Sequence, residues 1–600
     1  MIDNINTKLK KNLPLKIEDF NNNNYYNDLN INSNNMDNYI QENFTKNQIK
    51  KSSLIKNNNN KNNSIENITY SPTYSSKKLR MKQEFSYLNY SSEEEIKSQN
   101  EEKFVEIELT NSDKIIFAAL YLPVRVYKDL NNKWDLRITN EPFYNTIYNL
   151  SKDRNTTWIG LLRNYNDIDE DSKESIQMLL QKKYNMQIIK FDRVKLNNLI
   201  RFITEVLEPH FHYVAILHTF QQIKEFEDLW NIFKEFNELI AKTIVSNYDS
   251  NSLVFLHDFH LLLTPSLIYN TYQGYYNSNK NFKNISIGLF IHSPFPAHDL
   301  FRRFPYREEI LKSMLNCSII GFHTFDSSRN FLTSCKRLLL INYESNINGD
   351  LAVSYFGRNV IIRVKHVSSE IGLIKNEIKK KEFLEVYEKL KSKCERKYVF
   401  VSVCNLMFLA GVRHKLEGYR RFLRDIGENY YKKNLLIQYI VQDDSIISNE
   451  DKEKINELKL NIMELSRKIK NEFGEDVLEV IDKKITYSER LAIFAIGRCY
   501  VRTCRRESFS LDIYEFLNLK ILFNELNDFS YILSGLSGVT SSLSGAIKVN
   551  PFEVNFYCLL IILFYMFFIN FNNFNKYKKS FNQYKMVLCN HFKIIWKKRI

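Results

Sequence analysis

The chain has 600 residues and a formal net charge of +15, with only 15 glycines and 10 prolines. This length exceeds what one hydrophobic core organises, so we expect two or more domains. The positive charge suggests an anionic partner, but the lysines are scattered and often alternate with Glu or Asp, as AT-rich codon usage also produces. Helix-turn-helix, zinc-finger and aromatic RNP motifs are absent from the sequence, so a nucleic-acid partner is not predicted.

The eight cysteines form no CxxC pair and no metal-ligand spacing. This pattern predicts reduced cysteines in an intracellular protein and no bound metal. The amino-terminal sequence, MIDNINTKLKKNLPLK, lacks the apolar segment of a secretory signal. We therefore expect a cytoplasmic protein.

Residues 1–103 form an Asn-rich segment with tracts at Asn21–Asn24 and Asn57–Asn60 and few aliphatic runs. Such a segment buries too little apolar surface to offset the entropy lost on ordering. We predict a disordered extension. Its low-complexity composition accounts for the segment without a motif that binds another protein.

Residues 104–368 are predicted to form a first α/β domain. The segment Lys114–Val124 reads as a buried strand that runs into a turn, and Ile223–Ile244 has apolar residues at helical spacing. Strands that alternate with helices of ten or more residues indicate βαβ units and a parallel sheet.

Polar residues follow two apolar runs of strand length in this domain, Leu253–Leu256 and Ile285–Ile291. The first continues as HDFH, with Asp258 at its second position, and the second as HSPFP, beginning at His292. Residues just beyond the carboxyl ends of parallel strands are where open α/β sheets bind ligands, so we predict a pocket here. Alternatively, Asp258 caps a helix that begins near Leu261 and the histidines are satisfied core residues.

Residues 369–555 are predicted to form a second α/β domain, joined to the first near Val364–Ile371. A Lys/Glu-rich helix is expected over Asn376–Lys393, and further helices over Glu450–Phe473 and Ser488–Ile496. The strands are expected at Tyr398–Leu406, Leu435–Val441, Cys499–Thr503 and Ala546–Val549. The fold class is therefore α/β, with two Rossmann-type, doubly wound domains that face each other across a cleft, as in the GT-B fold.

Residues 556–600 contain a continuous apolar run, Phe556–Ile569. A membrane-spanning helix needs about 20 such residues, and runs of about 10–14 are more often core helices. The run therefore favours a core helix or a translated intron over a tail anchor, and a membrane partner is not predicted.

Five segments of the chain carry a resemblance to a known family: HDFHLLL, IGLFIHSPFPAHDLFR, PYREEIL, GFHTFDSSRNFL and YES-N. In order and spacing they resemble trehalose-6-phosphate synthases, the metal-independent, retaining glycosyltransferases that join UDP-glucose to glucose 6-phosphate. Weaker similarity extends from about Ile115 to Glu553. The resemblance implies a GT-B fold, UDP-glucose as the donor ligand and no cofactor.

The reaction of that family requires positive charge in the second domain. Negative charge develops on the leaving UDP, and the family meets it with an Arg and a Lys in a pattern like VDRLDxxKG. Here the pattern aligns with Val403–Gly411, so that Asn405 replaces the Arg and Ala410 replaces the Lys. Arg413 and His414 lie nearby in the sequence but are offset from the aligned positions.

On the acceptor side implied by the resemblance, basic residues are likewise replaced. Tyr121 occupies the position of the arginine that binds the acceptor phosphate, and Leu199 that of a tyrosine. Glu208 replaces a tryptophan, and Asp444 aligns with an arginine of the second domain. Carboxylates at the place of a bound dianion reverse the sign of the local potential.

Other implied pocket positions are retained. Asp258 and His292 match residues that in the family contact acceptor hydroxyls and the donor sugar. On the nucleotide-sugar side, the family's RDGMNL reads RESFSL here, which keeps Arg506 and Leu511 and puts Ser510 at the Asn position. Glu515 matches the carboxylate that binds the ribose. Ser508, however, replaces a glycine that lets the backbone approach phosphate.

These substitutions predict a trehalose-6-phosphate synthase-like protein that is catalytically degenerate and has a binding or regulatory role. The alternative is an active UDP-sugar-dependent glycosyltransferase with an altered acceptor or donor. The partners implied are a nucleotide sugar or sugar phosphate and an active paralogue.

Overall fold

The computed structural model of the chain describes residues 113–553 with several internal gaps. The gaps are 129–133, 140–143, 145–146, 149–153, 214–219, 250–251, 277–284, 346–349, 368, 442–448, 526–528 and 544. The predictions for residues 1–103, for the apolar run Phe556–Ile569 and for Asp444 lie outside the described residues.

A nine-stranded sheet organises the first half of the described chain. Its strands are β1 (Ile115–Tyr121), β4 (Thr156–Leu161), β5 (Met186–Ile188), β6 (Leu253–His257), β7 (Ser286–Ile291), β8 (Ile319–Phe322), β9 (Tyr343–Ser345), β10 (Leu351–Tyr355) and β11 (Arg358–Val364). Their spatial order is β5-β4-β1-β6-β7-β8-β11-β10-β9. The strands from β5 to β11 run parallel, and β10 and β9 add an antiparallel edge. A separate hairpin, β2 (Val124–Lys128) with β3 (Trp134–Ile138), lies outside this sheet.

The parallel strands are covered on their faces by helices, which explains their apolar sequences. In β1, six of the seven residues are buried. The long helix Phe220–Ser246 packs beside Thr264–Tyr276 and also contacts β1 and β4. The remaining helices of this half are Glu170–Tyr184, Arg193–Arg201, Glu208–Phe211, His298–Phe301, Arg307–Met314 and Phe325–Ser334.

A six-stranded, fully parallel sheet organises the second half. Its strands are β12 (Tyr398–Asn405), β13 (Asn434–Val441), β14 (Leu478–Ile481), β15 (Cys499–Arg502), β16 (Ser530–Ser534) and β17 (Ile547–Val549). The order is β14-β13-β12-β15-β16-β17, with parallel pairing throughout. The helices of this half are Ile371–Glu377, Lys381–Lys393, Val412–Ile426, Glu428–Tyr431, Asn449–Phe473, Tyr487–Ile496, Asp512–Leu522 and Val539–Ser542. The prediction of two doubly wound α/β halves is confirmed.

The structure differs from the sequence-based prediction, or adds to it, at three places. The helix expected over Asn376–Lys393 is interrupted, because Lys380 adopts extended backbone (ψ 144°) before the helix Lys381–Lys393. Strands β14 and β16 were not predicted; they are short and include charged or hydroxyl residues, which hide the apolar signal of a buried strand. The helix that begins at Arg193 continues as a π-helical segment, Phe202–Leu207, into Glu208–Phe211. A π-helical turn inserts residues without changing the apolar composition, so spacing alone does not show it.

No helix within the described part of the chain has the length and apolar character needed to cross a membrane.

Candidate functional site

A cavity of about 230 Å³ lies between the carboxyl end of the first sheet and the loops that follow β12 and β15. Its lining comes from both halves: Glu208, His212, His292, Ser293, Pro294, Asn405, Met407, Leu409, Ala410, Arg502, Cys504, Arg506, Glu507, Ser508 and Phe509. Strand ends supply most of these residues, as expected for an open parallel sheet. The structure therefore brings the predicted positions Glu208, His292, Asn405, Ala410 and Arg506 together at one cavity.

Asp258 supports this cavity from behind, and it is not among the lining residues. Its Oδ1 accepts hydrogen bonds from the backbone N–H groups of His292 (3.1 Å) and Ser293 (3.2 Å). Its backbone has a φ of 69°, a conformation that is costly for a residue with a Cβ and typical of functional sites. The expectation that Asp258 caps the following helix is wrong, because the side chain makes no cap hydrogen bond there. The carboxylate instead holds the end of β7 in place.

His292 is the middle member of a chain of three imidazoles. Its Nε2 lies 3.1 Å from Nδ1 of His257, and its Nδ1 lies 3.1 Å from Nε2 of His323. Burial lowers the pKa of His257 to about 3 and that of His323 to about 3. Burial and the neighbouring imidazoles likewise hold the pKa of His292 well below its usual range. The three rings are therefore neutral at physiological pH, and both nitrogens of the retained His292 already face other histidines.

The first half also contributes Glu208 and His212 to the cavity. His212 Nδ1 lies 2.9 Å from the backbone oxygen of Glu208, and burial lowers the pKa of this histidine. The π-helical segment Phe202–Leu207 ends directly before Glu208 and so sets the direction in which this short helix continues. Glu208 and the neutral imidazole of His212 therefore lie at the side of the cavity where the resemblance implies the acceptor.

Two of the implied acceptor positions lie away from the cavity. Leu199 is fully buried in the core of the first half. Tyr121 is 4% exposed, and the guanidinium of Arg163 lies 4.7 Å from the centre of its ring. Both side chains pack within the first half and do not line the cavity.

Asn405 and Ala410 line the cavity at the positions where the resemblance implies an Arg and a Lys. Asn405 is the exposed last residue of β12. Gly411 follows Ala410 with a φ of 69°, and a Cβ there would lie 2.2 Å from the backbone oxygen of Thr503, so the turn requires glycine. Of the two basic residues that lie nearby in the sequence, Arg413 does not line the cavity, and Nε2 of His414 lies 3.1 Å from Nη2 of Arg505.

An ion-pair network occupies the base of the cavity on the second-sheet side. Arg502, at the end of β15, pairs with Glu507 and with Asp512, whose Oδ2 lies 3.0 Å from Nη1. It also donates to the backbone oxygen of Val403 at 2.7 Å. Burial by itself lowers the pKa of Arg502, but Glu507, Tyr500 and Asp512 together outweigh burial and raise the pKa well above its usual value. The carboxylate of Glu507 is thus neutralised within the protein.

Glu515 is neutralised in the same way. It is 3% exposed, and Nη2 of Arg490 lies 2.8 and 2.7 Å from its two carboxylate oxygens. The hydroxyl of Tyr487 donates to the same carboxylate at 3.1 Å. Burial by itself lowers the pKa of Arg490, and the carboxylates of Glu515 and Asp512 reverse this effect. The implied ribose-binding carboxylate is turned toward an internal arginine and does not line the cavity.

The loop 505–511 presents one further cation. The guanidinium of Arg506 lies 4.0 Å from the ring centre of Tyr213, a residue of the first half. Ser508 is 5% exposed, whereas Ser510 and Leu511 do not line the cavity. Phe509 stacks on His323, with 4.5 Å between ring centres, and so links the loop to the end of β8.

Sequence reasoning did not identify Arg490, Arg502, Tyr213 and His323 as site residues. A signal was present for the two arginines. Arg490 directly precedes the apolar run of the helix Tyr487–Ile496, and Arg502 ends an otherwise apolar strand. Arginine is almost never fully buried unless it is paired, so a cation inside an apolar element indicates a buried ion pair.

Among the described residues, no group of three or more His, Cys, Asp and Glu side chains is arranged to hold a metal ion. The expectation of a metal-independent site therefore stays a prediction.

The family model described as glycosyltransferase family 20 matches residues 112–558. An alpha,alpha-trehalose-phosphate synthase [UDP-forming] of Zygosaccharomyces rouxii is 29% identical over 450 residues, which are 74% of this chain and 87% of the relative.

Two solved structures show the same fold. The N-terminal domain of a Candida albicans trehalose-6-phosphate phosphatase aligns with a TM-score of 0.63 at 23% identity, covering 76% of this chain and 89% of that one. A Burkholderia xenovorans alpha,alpha-trehalose-phosphate synthase (UDP-forming) in complex with glucose-6-phosphate aligns with a TM-score of 0.59 at 18% identity, covering 75% and 92%.

Proposed function

The chain belongs to glycosyltransferase family 20, and on that premise we propose that it is a trehalose-6-phosphate synthase-like protein that binds a ligand without transferring glucose. The resemblance to trehalose-6-phosphate synthases is confirmed at the level of the family. We propose in addition that the site no longer catalyses glucosyl transfer and has a binding or regulatory role.

The observation that carries the proposal is the charge of the second-sheet side of the cavity. Asn405 and Ala410 line the cavity at the two positions where the resemblance implies cations for the departing diphosphate. Loss of one preorganised donor of this kind costs about 2.7–4 kcal/mol in the barrier, so two losses suppress turnover severely even if they are partly additive.

The carboxylates support the same conclusion. Glu507 and Glu515 are each committed to an arginine of the second half, so neither offers a free carboxylate to the hydroxyls of a donor nucleotide. Glu208 lines the cavity at a position where the resemblance implies a tryptophan, so a carboxyl group replaces an uncharged ring on the implied acceptor side.

The relatives are compatible with this function. One solved structure with this fold is the N-terminal domain of a protein called a phosphatase, so the fold is not confined to proteins named as synthases. Fold alone does not establish activity, which has to be argued from the site. We further propose a cytoplasmic protein that works beside an active paralogue.

The test is a transfer assay on the purified full-length chain with UDP-glucose and glucose 6-phosphate. We expect no trehalose 6-phosphate above the background of a protein-free control. Formation of the product that disappears in His292→Ala and persists in the surface variant Ser392→Ala would refute the proposal. Ser392 lies exposed on the helix Lys381–Lys393 and serves as the matched control.

A second candidate function is supported by the retained residues Asp258, His292 and Arg506. In this view the chain is an active glycosyltransferase with another acceptor or donor. A thermal-unfolding screen of nucleotide sugars distinguishes the two, because a ligand at 100 times its dissociation constant stabilises the folded state by about 2.7 kcal/mol. A flat response to every nucleotide sugar rejects this candidate.

A further inference from the structure

We propose that Cys404 and Lys415 are a peroxide-sensitive pair, whose thiol and amine join in a covalent sulfenamide bond when hydrogen peroxide oxidises the sulfur. The pair lies in the second half of the molecule, behind the residues that line the cavity. The proposal goes beyond the proposed function and does not depend on whether the cavity catalyses transfer.

Lys415 is a buried amine held beside a thiol. It lies on the helix Val412–Ile426 and is 1% exposed, and its Nζ lies 3.7 Å from Sγ of Cys404 on β12. The amine also donates to Oγ of Ser402 and, at 2.9 Å, to Oε1 of Gln438. No carboxylate pairs with Lys415 in the part of the chain that the structure describes. Lysine is almost never fully buried unless it is paired, so this environment is unusual for a purely structural residue.

The side chain of Gln438, on β13, fixes both reacting atoms. Its Oε1 accepts from Nζ of Lys415, while its Nε2 donates to Sγ of Cys404 at 3.2 Å. The same Nε2 donates to the backbone oxygen of Tyr439 at 2.9 Å, which fixes the orientation of the amide. Nitrogen and sulfur are therefore held close to the separation of about 3–3.5 Å from which oriented atoms react.

Cys499, on the neighbouring strand β15, provides a contrast within the same sheet. It is fully buried as well, but its Sγ donates to the backbone oxygen of Tyr500 at 3.9 Å. Burial raises the pKa of this thiol to about 12. At Cys404 the direction of the hydrogen bonds is reversed, because an amine and an amide N–H point at the sulfur. Donors of this kind favour the thiolate, which is the form that peroxide oxidises.

Lys415 can also supply the neutral amine that the new bond requires. Burial lowers the pKa of Lys415 and outweighs the nearby sulfur of Cys404, which raises it. A desolvated lysine amine is an effective nucleophile in proteins, because it is not held in the protonated form.

The reaction is balanced within the pair. The thiol proton of Cys404 moves to the amine of Lys415, and the thiolate attacks hydrogen peroxide. The S–O bond forms, the O–O bond breaks, and the departing hydroxide takes the proton back from the ammonium and leaves as water. The neutral amine then attacks the sulfur of the sulfenic acid, so that the S–N bond forms, the S–O bond breaks and the hydroxyl leaves as water with one amine proton. The sulfur loses two electrons, and one peroxide is reduced to two waters.

The bond closes a short loop at the wall of the cavity. Cys404 and Lys415 flank the segment 405–414, in which Asn405 and Ala410 line the cavity. Asn405 directly follows Cys404, so peroxide that enters the cavity reaches the end of the strand that carries the thiol. Oxidation therefore restrains a ligand-binding surface without modifying a residue that lines it.

Peptide mapping by mass spectrometry of the full-length chain, treated with hydrogen peroxide and then blocked at its free thiols, tests the proposal. Trypsin cleaves the unmodified chain after Arg413 and Lys415, which places Cys404 and Lys415 on separate peptides. We expect a linked species that joins residues 398–413 to residues 414–420, lighter by two hydrogen atoms than the two peptides together, with cleavage after Lys415 lost. Dithiothreitol should restore both unmodified peptides, because a thiol displaces the amine from the sulfur.

Two variants and one internal control decide the assignment. Cys404→Ser should abolish the linked species, and Lys415→Arg should leave oxygen acids of Cys404 without a link, because a guanidinium stays protonated. Cys499 should remain a thiol throughout, and the map of the unmutated chain decides the question if a variant does not fold. Oxidation of Cys404 no greater than that of Cys499 overturns the proposal. So does an oxygen acid or a disulfide of Cys404 with normal cleavage after Lys415, or a link that retains an added oxygen.

Discussion

The two sides of the cavity differ in how their polar groups are satisfied. On the first-sheet side, Asp258 binds backbone N–H groups and His292 lies between two neutral imidazoles, so the geometry is maintained without a net charge. On the second-sheet side, the carboxylates Glu507 and Glu515 are held by buried arginines. Under the proposed function, the site keeps residues that match its family while its electrostatics no longer suit the family reaction.

The largest effect is expected from breaking the ion pair on the second-sheet side. Arg490→Met leaves the buried carboxylate of Glu515 without its cation and should lower the free energy of unfolding by about 3–5 kcal/mol in urea denaturation. The matched double variant Arg490→Met/Glu515→Leu removes both charges and should recover most of that loss. A loss below about 1 kcal/mol in the single variant would show that the pair does not neutralise Glu515 as described.

A pH series tests the first-sheet side, where the pKa values of His257, His292 and His323 are lowered by burial. Above the ordinary histidine pKa of about 6.5, folded and unfolded chains are both neutral at these groups, so they contribute no pH dependence. Below it, the unfolded chain takes up protons that the folded chain does not. The free energy of unfolding should therefore fall by about 1.4 kcal/mol per pH unit for each imidazole until its folded pKa is reached, which is about 3 for His257 and His323.

Urea denaturation between pH 7.5 and 5 measures this slope, and the range above pH 7 serves as the internal reference. His257→Asn removes one of these imidazoles and should flatten the slope by about 1.4 kcal/mol per pH unit, the contribution of one group. An unchanged slope in this variant would mean that His257 titrates normally in the folded chain.

The smallest effect is expected from restoring the cations. Asn405→Arg/Ala410→Lys should tighten UDP-glucose binding by about tenfold, which corresponds to about 1.4 kcal/mol. Asn405→Gln/Ala410→Met provides similar bulk without charge and should have no such effect. Equal binding by both double variants in calorimetric titration would show that Asn405 and Ala410 do not limit the affinity for UDP-glucose.

Most strands and helices could be predicted because the length and spacing of apolar runs indicate which residues are buried. The strands β6, β7, β12 and β13 were predicted within one residue of their observed bounds. The strands β14 and β16 were not, since a short strand with charged or hydroxyl residues has no clear period. The roles of the individual site residues stay predictions, although the structure brings several of them to one cavity.

By itself the sequence determined the family, the two α/β halves and the neutral residues Asn405 and Ala410, because motif identity and apolar pattern are local properties of the chain. Only the tertiary structure decided which charges remain available. The pairing of Arg490 with Glu515 joins residues 25 positions apart on two different helices, and the stacking of Arg506 on Tyr213 joins the two halves. Such contacts depend on distances across the fold, which no spacing along the chain encodes.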